Sequence, residues 1–114
     1  MTKTREEIQA ETKRLKAEYG RLFDSAAEIL FRHDPIGVNF EDNTDEYYPE
    51  VRTILPRLRA CHSADGVLTV VHEEFQRWFD SDTAGSREDY RLIAEEIWRL
   101  WENRRGESNK SHAI

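Results

Sequence analysis

Apolar residues Ile8, Leu15, Tyr19, Leu22, Ala26 and Ile29 recur in steps of 7, 4, 3, 4 and 3. Those steps keep to one face of an α-helix. Thr4 followed by Glu7 has the form of a capping box, which starts this helix near Arg5. The pattern predicts one helix to about Arg32, roughly 42 Å long at ~1.5 Å per residue. Gly20 lies inside it, at an expected cost of about 1 kcal/mol relative to Ala. The first turns carry almost only charge, so residues 1–14 are expected to project from the fold.

The helical pattern stops at His33 and resumes near Tyr48. Asp34-Pro35 disfavours helix at residue 34, and Gly37 and Asn43 favour turns. A long loop is expected from His33 to Glu46. The second helix begins with Pro49 in its first turn, where the missing N–H costs nothing. Its buried stripe is Val51, Ile54, Leu55 and Leu58. Pro56 within that stripe predicts a kink or break. Ser63 is the expected cap of a third helix to about Phe79, with Val67, Val71, Phe75 and Trp78 on its inner face. A polar turn follows over Asp80–Gly85. Ser86 with Asp89 opens a fourth helix, whose core face is Tyr90, Ile93, Ala94, Ile97 and Trp101. Gly106 is its expected end, with residues 107–114 as a disordered tail. No alternating run is long enough for a sheet. The expected fold is all-α: a small four-helix bundle over residues 1–106 with a Pro-kinked second helix.

Length and composition narrow the classes of function. A chain of 114 residues suits one domain. The formal charge of −6 argues against direct nucleic-acid binding, which draws on a Lys/Arg surplus. One cysteine, Cys61, excludes an internal disulfide framework and a CxxC zinc site. No apolar run approaches a membrane span, and the polar start is unlike a signal peptide. A cytoplasmic location is expected.

The charge is unevenly spread. Asp34, Glu41, Asp42, Asp45, Glu46 and Glu50 fall within residues 34–50 with no Lys or Arg among them. The other 17 acidic residues balance the 17 basic ones. The surplus therefore belongs to one connection, between the first and second predicted helices.

Known chemical motifs fail at identifiable positions. His72-Glu73 begins an HExxH motif, but Gln76 stands where the second His is required. An EF-hand register from Asp42 puts Tyr47 at the turn glycine and Thr53 at the terminal Glu. Cys61 and His62 are adjacent on a helical path, too divergent for a good chelate. There is no glycine-rich phosphate loop. The Asn109-Lys110-Ser111 sequon has no secretory context. No cofactor is expected.

The segment from His33 to Trp101 carries Asp34-Pro35-Ile36-Gly37, then Asp45-Glu46-Tyr47 with Glu50-Val51 and Ile54, then a helix with Phe75, Trp78 and Phe79. This order resembles the YugE-like family of small bacterial helical proteins, a domain of unknown function. The resemblance implies a compact all-helical bundle from a bacterial cytoplasm. It implies no activity and supplies no catalytic residues.

The expected function is a non-catalytic interaction module, of the immunity or antitoxin-inhibitor type. It presents Glu41, Asp42, Asp45, Glu46 and Tyr47 to a basic protein, since complementary charge speeds association and selects partners. The alternative is a small-ligand or metal-binding domain, conceivably an enzyme, with His33, Asp34, Asp45 and Glu46 in a pocket. The charged first helix also offers a seam for a homo-oligomer. Trp98, Tyr47 and Tyr48 are amphipathic residues suited to an interface.

Overall fold

A computed structural model describes residues 4–37 and 47–112, and side chains as far as Arg105. All regular structure among them is helical: α1 Arg5–Tyr19, α2 Arg21–His33, α3 Tyr48–Ile54, α4 Ala64–Trp78, α5 Ser81–Ala84 and α6 Arg91–His112. Two 3₁₀ segments, Leu55–Ala60 and Arg87–Tyr90, join them. No described helix is long and apolar enough to cross a membrane.

The Thr4 hydroxyl accepts from the Glu7 amide at 3.1 Å and opens α1 as expected. The single long helix does not form. Gly20 takes φ +57°, ψ −130°, and its amide closes α1 on the Lys16 carbonyl at 2.8 Å. A side chain strongly disfavours that backbone region, whereas glycine enters it freely. The break keeps Tyr19 and Leu22 buried on either side of the turn. Hydrophobic spacing therefore continues across a point where the axis does not.

The second predicted helix begins at Tyr48 with Pro49 in its first turn. It gives way to 3₁₀ geometry at Leu55, one residue before Pro56, whose ring cannot follow an α-helical carbonyl four residues back. Ser63 caps α4, its hydroxyl accepting from the Gly66 amide at 3.1 Å. The expected polar turn over residues 80–85 contains one helical turn, α5, capped by Asp80. Ser86 and Asp89 form the reciprocal capping box, although the chain first runs as 3₁₀ before α6. The α6 backbone stays helical through Gly106 to His112, past the expected end and into the stretch expected as a tail.

The core gathers around α4, which packs on α3, α5 and α6. Phe75 is fully buried at its centre. Its ring centroid lies 5.0 Å from Tyr90, 5.9 Å from Phe79 and 6.0 Å from Tyr47. Phe23, Leu30, Ile54, Leu58, Val67, Val71, Ile93 and Ile97 complete the closed interior. Helix α2 covers α6 on one side and meets α1 and α3 on the other. Trp101 is buried, and Trp98 packs half-buried against the same core.

Candidate functional site

The acidic connection leaves α2 at one end of the fold and returns at α3. Residues 38–46, which include Glu41, Asp42, Asp45 and Glu46, lie outside the described residues. The two ends of the connection lie within the described residues. Asp34 closes α2 in the left-handed region at φ +48°, ψ +57°, with its amide on the Leu30 carbonyl at 2.7 Å. A tight turn follows, with the Gly37 amide donating to the Asp34 carbonyl at 3.1 Å. At the far end, Tyr47 precedes α3.

Tyr47 joins these ends. Its hydroxyl donates to Asp34 Oδ1 at 2.7 Å and accepts from the Ile36 amide at 3.3 Å. Its ring is fully buried. The sequence placed Tyr47 on the partner surface, but the structure places it in the core, as the pin between the two ends. Tyr48 is also turned inward, edge-on to Phe23 at 5.1 Å. Its hydroxyl accepts from Lys16 Nζ at 3.2 Å. That bond, with Asp24 nearby, holds the Lys16 ammonium above its usual range against partial burial. Glu50 is buried as well, at 5% exposure. Two of the six carboxylates, Asp34 and Glu50, thus serve the body of the protein.

The alternative site draws on His33 and Asp34, and the structure sends them to different partners. His33 Nε2 lies 2.5 Å from Glu96 Oε2 on α6, and Arg32 donates to Glu96 Oε1 at 2.8 Å. Arg32 holds the Glu96 carboxyl below its ordinary range, opposed by burial and assisted by His33. Asp34 turns instead to Tyr47. Asp45 and Glu46, the other two members, lie outside the described residues. Among the described residues, no three His, Cys, Asp or Glu side chains converge as a metal site.

The remaining candidates have structural employment. Cys61 is buried at 5% exposure, and burial pushes its thiol up despite the pull of Arg57. A thiol so placed is a poor nucleophile at neutral pH. His72 Nε2 meets the Gly85 carbonyl at 3.1 Å, tying α4 to the turn after α5. Tyr90 donates to the Ala84 carbonyl in the same corner, and burial pushes its phenol up to about 12.

Sequence reasoning missed Glu96, which anchors the end of α2. It also missed Glu74, which is buried at 2% exposure. Arg57 reaches it at 2.8 Å and Arg77 at 3.5 Å, while Arg57 also meets Glu73 at 2.7 Å. These partners stand 63 and 17 residues apart, beyond local pattern. No protein-family model, curated protein or solved structure matches the chain.

Proposed function

We propose that this chain is a non-catalytic protein-interaction module of the immunity or antitoxin-inhibitor type, which offers its acidic connection to a basic partner. The carrying observation is the Tyr47 bridge to Asp34 and Ile36. It holds together the two ends of a segment containing four of the six carboxylates that make up the chain's charge surplus, Glu41, Asp42, Asp45 and Glu46. A recognition segment on anchored ends has less freedom to lose on binding. The packed helices support the reading of a bundle, with the broken first helix as one arm. The suggested YugE-like relationship is compatible with this role and adds no activity to it.

Glu41, Asp42, Asp45 and Glu46 are the proposed contact residues; Tyr47 becomes the residue that holds their frame. The ligand-site alternative loses support, because His33 and Asp34 already answer to Glu96 and Tyr47. The test is affinity capture with the intact chain, followed by Asp45→Lys/Glu46→Lys. Captured partners should be basic, and their affinity should fall at least tenfold. Partners that stay bound to the reversed chain would remove the connection as the interface.

A further inference from the structure

The chain is acidic, yet one face is lined by arginine. Helices α2 and α6 run antiparallel along a groove formed by two adjoining depressions of about 350 and 490 Å³. Ser25, Leu100 and Asn103 belong to both. Arg32 and Arg99 stand at one end, Arg21 and Arg104 at the other. Among the described residues, the carboxylates lining it are Glu28 and Glu96, so its described walls carry a local charge of +2 (four Arg against two Glu).

Three of the four guanidiniums lack a carboxylate partner among the described residues. Arg32 is matched by Glu96. Arg104 lies 5.4 Å from the Tyr19 ring centre and donates to the Glu18 carbonyl at 3.0 Å, which leaves its charge uncancelled. Arg21 and Arg99 are exposed on opposite walls. Several arginines elsewhere are carboxylate-paired, among them Arg57 with Glu73 and Glu74, Arg59 with Glu18, Arg87 with Asp65 and Arg91 with Glu88.

The form of the groove indicates the kind of occupant. Its walls are helical stripes at steps of three and four, Arg21/Leu22–Ser25–Ile29–Arg32 and Glu96–Arg99/Leu100–Asn103. Two such stripes on neighbouring helices form a seat for a third. From Arg21 to Arg32 the wall is roughly 16 Å long at ~1.5 Å per residue, or about three helical turns. Its floor is apolar but narrow, made by half-buried Leu100 with the edges of Leu22 and Ile29, each 5% exposed, and a polyphosphate chain would not use it. Glu28 and Glu96 would repel a continuous run of phosphates.

We propose that the α2–α6 groove docks an acidic amphipathic helix of a partner protein. The apolar face of that helix covers Leu100 and the exposed edges of Leu22 and Ile29, and its carboxylates meet Arg21, Arg99 and Arg104. This proposal does not rest on the reading of the acidic connection.

The test uses the intact, ¹⁵N-labelled chain. The probe is a capped helical peptide of about four turns, with Leu on one face and Glu flanking it; its twin carries Lys for Glu. The Glu peptide should shift the amide signals of Ser25, Leu100 and Asn103, and the Lys twin should not. Arg21→Glu/Arg99→Glu should weaken the Glu peptide at least tenfold; Arg21→Gln/Arg99→Gln serves if the reversed chain does not fold. No shift at saturating peptide, shifts confined to other faces, or equal binding of the Lys twin would overturn the proposal. So would an oligothymidylate giving the same shifts with equal affinity, which would make the groove a polyanion site. A sedimenting dimer dispersed by the Arg substitutions would instead assign the groove to a second copy, and would equally refute a partner helix.

Discussion

Gly20→Ala changes the sign of its effect according to whether α1 and α2 are one helix or two. In a continuous helix, replacing an interior glycine with alanine stabilises by about 1 kcal/mol. At φ +57°, ψ −130° a methyl group meets its own backbone instead. Strained backbone regions of this kind cost of order 1–3 kcal/mol per residue. No heavy atom outside the adjoining residues lies within 4 Å of the added Cβ, so no packing clash enters the comparison. The whole effect is local backbone energy, and the expected loss is about 2 kcal/mol. At this chain length that lowers Tm by roughly 5–10 °C. Urea denaturation followed by far-ultraviolet circular dichroism measures it, with an unchanged m-value showing that the native fold persists. A gain of stability would refute the reasoning, and with it the break at Gly20.

Four further outcomes follow from the same structure. Tyr47→Phe keeps the buried ring and removes its bond to the Asp34 carboxylate. It should cost about 1.5–3 kcal/mol, and a cycle with Asp34→Asn should show coupling in urea melts. The Glu96 carboxyl is held low in the folded state by Arg32 and His33. Its contribution is therefore present above the unfolded value near 4.5 and is lost as pH falls through the lower folded value. Glu96→Gln should flatten the acid limb of stability plotted against pH. Arg57→Met should cost about 2 kcal/mol, because it takes the nearer partner from buried Glu74. Glu73→Gln, on the exposed side of the same arginine, should cost under ~0.5 kcal/mol by thermal melt.

Elements whose boundaries depend on neighbouring residues were legible in the sequence. Thr4, Ser63 and the Ser86–Asp89 box act on amides three positions away, and Pro56 acts on the preceding turn. Gly20 was misread because periodicity reports which residues are buried, not whether the axis between them is continuous. Tyr19 and Leu22 are buried under either arrangement. Tyr47 was misread because an amphipathic side chain beside an acidic run suits a surface. Only the fold brings Asp34, 13 positions away, to its hydroxyl. The charge of the α2–α6 groove was hidden for a related reason. Arg21 and Arg104 lie 83 positions apart in sequence, and the overall sign of the chain is opposite to theirs.

The closure at Tyr47 separates two problems that a connecting segment usually has to solve together. The bonds of Tyr47 to Asp34 and Ile36 tie the start of α3 to the end of α2 directly, through residues that flank the segment. For a flexible insert, doubling the length adds only about 0.6 kcal/mol of closure entropy. A change in the length of the connection is therefore expected to leave the Tyr47 anchor standing, so that length variants of this segment can be compared on one scaffold.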